Sequence, residues 1–117
     1  MKREITNALI DWKGRKSRKP LLIRGARQIG KTYVIEQFAQ VHFESFLKIN
    51  LETQKDICSI LLKNDIGLLI KELSLYFKED IIPGKTLLFF DEIQSCPQTI
   101  KLLRYFYEEL PDLHVIS

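Results

Sequence analysis

Apolar and polar residues alternate along the chain in a pattern that predicts four strands separated by helices. Apolar runs occupy residues 21–24 and 86–90, and residues 45–50 and 113–117 also have the pattern of strands. Runs of this length, bounded by glycine, proline or polar residues, are typical of strands that are buried in a sheet. We therefore predict a strand at each of these four positions.

The segments between these runs show the spacing of amphipathic helices. Residues 3–12 predict a short helix, and a second helix follows the glycine-rich segment that ends near residue 32. Residues 54–79 are mostly helical in pattern, with breaks expected at Asn64-Asp65 and at Gly67. Helices therefore separate each predicted strand from the next.

The last predicted helix begins near Pro97, where Ser95 or Cys96 can cap it. Its inner face is expected to carry Ile100, Leu103, Phe106 and Leu110. Strands that alternate with helices predict a parallel sheet with helices on both faces, which is a three-layer α/β/α fold. A chain of 117 residues suits one domain, with an N-terminal helix and basic linker at 1–19 and a core at 20–117.

The segment that leaves the first predicted strand, "GARQIGKT" at 25–32, matches the phosphate-loop pattern G-x-x-x-x-G-K-[ST]. Glycines let backbone N–H groups approach a phosphate chain, and the start of the following helix adds unpaired N–H groups and a positive dipole end. Lys31 can reach the β- and γ-phosphates, and the Thr32 hydroxyl can bind Mg²⁺. The predicted nucleotide-binding residues are Gly25, Ala26, Arg27, Gln28, Ile29, Gly30, Lys31, Thr32 and Tyr33.

The third predicted strand ends in two carboxylates, in "LLFFDE" at 87–92. The carboxyl edge of an open α/β sheet is where its ligands bind. We predict that Asp91 holds Mg²⁺ together with Thr32, and that Glu92 polarises the water that attacks the γ-phosphate. The predicted catalytic residues are thus Lys31 and Glu92, and two solvated acids at a strand end are the alternative.

The stretches "KPLLIRGARQIGKT", "KINLE" and "PGKTLLFFDEIQ" resemble the AAA+-type ATPase domain of a large prokaryotic group of uncharacterised proteins, in which a C-terminal domain of unknown function usually follows. The resemblance runs from Lys19 to Ser117. It implies an additional-strand P-loop NTPase fold, with ATP and Mg²⁺ as cofactors and hydrolysis coupled to an effector domain. In that arrangement we expect the acidic strand to lie beside the phosphate-loop strand, with the second strand outside it.

The same resemblance implies that the chain is an N-terminal fragment, truncated after the fourth strand and without the effector domain. We expect such a fragment to bind nucleotide more readily than it hydrolyses it. A nucleotide-binding switch with negligible turnover is the alternative function, and a P-loop small-molecule kinase is disfavoured because kinases exclude water. The partners implied by the resemblance are ATP or ADP and a protein or a downstream domain. AAA+ relatives often form rings, so an oligomer is also possible by analogy with the family.

Charge and cysteine content add two further expectations. The net charge is +3, but residues 1–19 carry seven basic and two acidic side chains. The cluster at Lys13–Lys19 could bind nucleic acid, with a solvated linker as the alternative. The chain has no apolar run long enough for a membrane span and no secretory signal, so we expect a cytoplasmic protein. Cys58 and Cys96 agree with this, because two cysteines make no disulfide framework.

Overall fold

The computed structural model describes residues 2–15, 29–62 and 65–117. For residues 2–5 and 29–31 it describes the backbone but not the side chains. The predicted strand at 21–24 and the loop residues Gly25–Gln28 therefore lie outside the described residues, and so does the side chain of Lys31. The described helices are α1 (Lys2–Gly14), α2 (Ile29–His42), α3 (Lys55–Ile60), α4 (Ile66–Phe77) and α5 (Gln98–Glu109). The strands are β1 (Ser45–Asn50), β2 (Thr86–Asp91) and β3 (His114–Ile116), and a 3₁₀ turn spans Ile93–Ser95.

The three strands form a parallel sheet in the order β1-β2-β3. Ser45 of β1 lies opposite Thr86, and Asn50 lies opposite Asp91, so β1 and β2 start and end together. The shorter β3 runs beside residues 87–89 of β2. The predicted strands at 45–50, 86–90 and 113–117 are confirmed, and the predicted strand at 21–24 lies outside the described residues.

Helices cover both faces of this sheet, which confirms the three-layer α/β/α fold. Side chains of β2 alternate between the two faces, because successive residues of a strand point in opposite directions. Leu87 and Phe89 pack in one apolar cluster with residues of α1 and α2. Leu88 and Phe90 pack in a second cluster with residues of α3, α4 and α5. β2 is consequently buried on both faces, as its continuous apolar sequence predicted.

The order of the strands corrects one expectation. Among the described strands, β1 lies outside β2, as predicted. The other edge of β2 pairs with β3, so the expectation that the acidic strand lies beside the phosphate-loop strand is wrong. The reason is that one edge of a strand can form a hydrogen-bonded ladder with only one neighbour at a time. The loop after α5 returns the chain to β2 over residues 110–113, and β3 fills that edge.

Two expectations about helix starts are also wrong. Gly67 does not interrupt the helical pattern, since it is the second residue of α4, where the Asp65 side chain accepts a hydrogen bond from the N–H of Leu68 (3.2 Å) and caps the helix. Neither Ser95 nor Cys96 caps α5, because Pro97 precedes that helix and no side chain caps it. The break at Asp65 itself is confirmed.

The inner face of α5 differs from the prediction at one position. Phe106 is buried as expected, but Ile100 is 59% exposed. Thr99 and Leu102 are buried instead, so the inward stripe is rotated relative to the predicted one. A threonine counts as polar in a periodicity pattern, which is why its inward position was missed.

The two cysteines are bonded to each other. We expected no disulfide framework from two cysteines, but Cys58 of α3 and Cys96, which lies between the 3₁₀ turn and α5, form a disulfide. Their Cα atoms are 5.9 Å apart although 38 positions separate them in the sequence. The sheet and the helices on one of its faces bring them together, and no local pattern indicates that contact.

Candidate functional site at the carboxyl edge of the sheet

The carboxyl ends of β1 and β2 place polar side chains at one edge of the sheet. Asp91 is the last residue of β2 and lies opposite Asn50, the last residue of β1. Asp91 and Glu92 are both half-buried. Asp91 Oδ1 accepts a hydrogen bond from the N–H of Glu92 (2.9 Å), which fixes the side chain of Asp91 at the point where the strand ends.

Glu92 leaves the strand through an unusual backbone conformation. Its φ of 57° and ψ of 48° lie in the left-handed region, where a residue with a Cβ is disfavoured. The carbonyl of Glu92 accepts from the N–H of Ser95 (3.0 Å), so the turn closes directly behind it. Gln94 Nε2 donates to Glu92 Oε2 (3.4 Å). The chain therefore turns sharply at Glu92 and leaves the direction of β2.

Asn50 serves the turn that follows β1. Its Oδ1 accepts from the N–H groups of Glu52 (3.0 Å) and Thr53 (3.3 Å). Its own backbone N–H donates to Gln54 Oε1 (2.9 Å). The amide oxygen is therefore used within the loop, as is common for asparagine in turns.

The direction of α2 determines which end of that helix meets this edge. α2 ends at His42, and the next residues lead straight into β1, where the N–H of Glu44 donates to the carbonyl of Lys85 (2.9 Å) just before β2. The end of α2 thus lies at the amino edge of the sheet. Val34, Ile35, Phe38 and Ala39 pack α2 against the sheet along its length.

The start of α2 consequently lies towards the opposite, carboxyl edge. Its 14 residues span about 21 Å, which matches the length of about 20 Å for a six-residue strand. The topology therefore directs the first turn of α2, residues 29–32, towards the edge at which β2 ends with Asp91. The unpaired N–H groups of a helix start carry partial positive charge, and Asp91, the last residue of β2, supplies a carboxylate at this edge.

The predicted site residues divide into two groups in the structure. Thr32, Asp91 and Glu92 belong to elements that meet at this edge, and Tyr33, the next residue of α2, is 45% exposed. The loop residues 25–28 and the side chains of Ile29 and Lys31 lie outside what the structure describes, while Gly30 contributes its backbone to α2. The roles predicted for the residues of both groups therefore stay predictions.

One residue at this edge was missed in the sequence. Ser117 follows β3 directly, is 2% exposed, and its hydroxyl has no hydrogen-bond partner among the described residues. Its position after a buried strand is the same signal that pointed to Asp91, but a serine is too common in loops for that signal to select it.

A magnesium ion fits the chemistry of these side chains. Carboxylate and hydroxyl oxygens are ligands that Mg²⁺ prefers, and it commonly takes only one or two protein ligands, with water and phosphate oxygens completing its octahedron. One carboxylate oxygen of Asp91, Oδ1, accepts the hydrogen bond from the Glu92 N–H. That bond does not involve the second oxygen, Oδ2. Within residues 2–15, 29–62 and 65–117, no group of three or more His, Cys, Asp or Glu side chains could hold a metal alone.

The fold and this edge together define the class of the protein. A parallel α/β/α sheet whose carboxyl edge combines a helix start with a strand-end carboxylate is the arrangement of P-loop-type nucleotide-binding domains. Residues 17–117 match the AAA domain family, and the chain belongs to that family. Comparisons with curated proteins and with solved structures found no match. Among the described helices, none is long and apolar enough to cross a membrane.

Proposed function

We propose that this AAA domain binds ATP with Mg²⁺ at the carboxyl edge of the sheet and hydrolyses it, and that hydrolysis moves an effector region or partner protein. The observation that best supports this is the shared position of the α2 start and of Asp91 at one edge. A phosphate chain needs N–H donors and a magnesium ligand within a few ångströms of each other, and the direction of α2 towards the edge where β2 ends supports such an arrangement.

The chain's own residues have separate roles in this proposal. The backbone N–H groups of Gly25–Thr32 bind the phosphates, and Lys31 neutralises charge on the β- and γ-phosphates. Thr32 and Asp91 hold Mg²⁺, which neutralises the charge that develops on the phosphate oxygens during transfer. Glu92 orients the attacking water and accepts its proton. The position of Glu92 directly after Asp91 supports this role, because it puts a second carboxylate next to the proposed magnesium ligand at the end of β2.

A matched pair of variants tests the proposal by ATP binding and phosphate release. Lys31→Ala should weaken ATP binding by tenfold or more, because it removes a full charge from a phosphate contact. Glu92→Gln should keep ATP affinity within about threefold and slow phosphate release by about 10²–10⁴-fold, which is the contribution of a positioned general base. Lys101→Ala and Glu109→Gln, at exposed positions of α5, are the controls and should change neither quantity.

The outcomes separate the alternatives. Phosphate release that Glu92→Gln leaves unchanged would show that Glu92 does not activate water. Wild-type protein that binds ATP and releases no phosphate would support the nucleotide-switch alternative. Wild-type protein that binds no ATP would overturn the proposal for the isolated chain.

Localisation and further partners belong to the same proposal. We place the protein in the cytoplasm, where ATP and Mg²⁺ are supplied. Binding of nucleic acid at Lys13–Lys19 would rest on phosphate contacts, so the affinity for duplex DNA should fall steeply as salt rises. A salt-independent affinity, or no binding at low salt, would assign the cluster to a solvated linker.

A further inference from the structure

The disulfide joins the helical layer to the turn that follows the acidic strand. Cys96 is fully buried in the apolar cluster formed by α3, α4, α5 and the sheet. Cys58 is only half-buried, so one of the two sulfurs lies closer to solvent. Gln98 Nε2 donates to Cys58 Sγ (2.8 Å). An N–H donor at a sulfur stabilises the negative charge that develops on that sulfur when the S–S bond breaks in thiol–disulfide exchange.

The position of Cys96 couples this bond to Glu92. Only three residues separate them, and two backbone hydrogen bonds of 3.0 Å, from Ser95 N–H to the Glu92 carbonyl and from Cys96 N–H to the Ile93 carbonyl, hold the turn together. Glu92 has a left-handed backbone, which persists only where the surroundings hold it. The cross-link at Cys96 anchors the far end of this turn to α3.

We propose that Cys58 and Cys96 form a redox-responsive cross-link that sets the conformation and mobility of the Glu92–Cys96 turn. Disulfides in cytoplasmic proteins are usually transient or redox-sensing, because the thiol pools of that compartment reduce them. The oxidised pair fixes the turn against α3, and the reduced pair releases it. Any effect on ATP turnover rests on the proposed ATPase activity, whereas the effects on thermal stability and on the turn itself do not.

The exchange partner belongs to the class of small disulfides, such as glutathione disulfide. The Cys58 thiolate attacks one sulfur of the small disulfide, breaks its S–S bond and releases one small thiolate. The Cys96 sulfur then attacks Cys58 Sγ in the mixed disulfide and displaces the second small thiolate. The two protons of the cysteine thiols end on the two released thiols, and the two electrons pass to the small disulfide.

The primary test uses the wild-type chain in buffers that range from excess glutathione to excess glutathione disulfide. Alkylation and mass measurement give the oxidised fraction, since the cross-link removes two hydrogen atoms. Oxidation should raise the midpoint of thermal unfolding by about 5–15 °C, as expected for a cross-link that closes a loop of this size. Amide hydrogen exchange at residues 92–96 should slow by about tenfold or more on oxidation.

Two variants separate the cross-link from general redox effects. Cys58→Ser should show neither the thermal shift nor the change in exchange, and should resemble the reduced wild type. Ser59→Ala alters the exposed neighbouring residue and keeps both cysteines, so it should respond as the wild type does. If Cys58→Ser fails to fold, the wild-type titration still decides the question because it needs no variant.

Three results would overturn the proposal. The pair could stay as two thiols in excess glutathione disulfide, it could stay bonded in excess glutathione, or the amides of residues 92–96 could exchange at equal rates in both states. Phosphate release measured on the same samples distinguishes this from the proposed function. A redox effect on exchange without any ATP hydrolysis would leave the cross-link standing, and equal hydrolysis with equal exchange would leave only the ATPase standing.

Discussion

Glu92 combines a proposed chemical role with an energetically costly backbone. Among the described residues, only Glu92 and Lys78 have a positive φ without being glycine. A left-handed residue with a Cβ costs about 1–2 kcal/mol relative to its preferred conformations. The hydrogen bonds from the Glu92 N–H to Asp91 and from the Ser95 N–H to Glu92 offset that cost. Costs of this kind are concentrated at functional positions, where a side chain has to face a ligand.

Two substitutions at this position separate the backbone cost from the carboxylate. Glu92→Gly and Glu92→Ala remove the same carboxylate, but only glycine adopts a φ of 57° without strain. We expect the glycine variant to have a free energy of unfolding about 1 kcal/mol above that of the alanine variant. Urea unfolding of both variants measures the difference. Equal stabilities would mean that the turn changes conformation once the glutamate is gone.

At the scale of elements, α4 begins where a single side chain supplies its cap. Asp65 accepts from the N–H of Leu68, one of the N–H groups that a helix start leaves unpaired. Asp65→Ala should lower the free energy of unfolding by about 1 kcal/mol, while Asp65→Asn should retain most of it because asparagine also caps well. Thermal unfolding of the two variants is the measurement, and equal losses would assign the effect to charge instead of capping.

The elements show what local sequence could and could not predict. The bounds of β1 match the predicted 45–50, and those of β2 differ from the predicted 86–90 by one residue. The signal was strongest for β2, because a strand buried on both faces is a continuous apolar run. The prediction for Gly67 was wrong because glycine disfavours the interior of a helix, whereas Gly67 is the second residue of α4 and follows the Asp65 cap. Ile100 was misjudged because an inward stripe depends on which neighbours a helix meets, and those are set by tertiary packing.

At the scale of the whole molecule, α1 is attached to the sheet through aromatic contacts. The ring of Trp12 meets that of His114 edge-on at 5.4 Å, and His114 in turn meets Phe43 at 4.9 Å. Lys13 lies over the Phe43 ring, with its Nζ 5.2 Å from the centroid. These contacts join the first helix, the end of α2 and β3, so α1 belongs to the same packed unit as the sheet.

This packing makes Trp12 a reporter of that attachment. It is the single tryptophan of the chain and is 4% exposed, so its fluorescence responds to separation of α1 from β3. In urea, the fluorescence transition should coincide with the loss of helical circular dichroism, as in a two-state domain. A fluorescence transition at clearly lower urea would mean that α1 detaches before the rest unfolds.

The features that the sequence did not reveal are those of long-range contact. The pairing of β3 with β2 and the meeting of Cys58 with Cys96 join segments that lie far apart in the chain. Their local sequences carry no mark of the partner, since each contact exists only after the sheet has formed and helices have packed on it. The residues of the candidate site could be named from the sequence because its signals, a glycine-rich loop and a strand-end acid, are local, and their roles stay predictions.

The parallel register has a kinetic consequence. Ser45 must find Thr86 across 41 residues, and Leu87 must find His114 after a further helix, so no strand pair can form from neighbours in sequence. Closing such long loops costs entropy before any ladder bond compensates for it, which slows folding and lengthens the time during which the apolar run of β2 is exposed. Newly synthesised chains should therefore depend on early collapse of the helices, or on chaperones, to avoid aggregation through that strand.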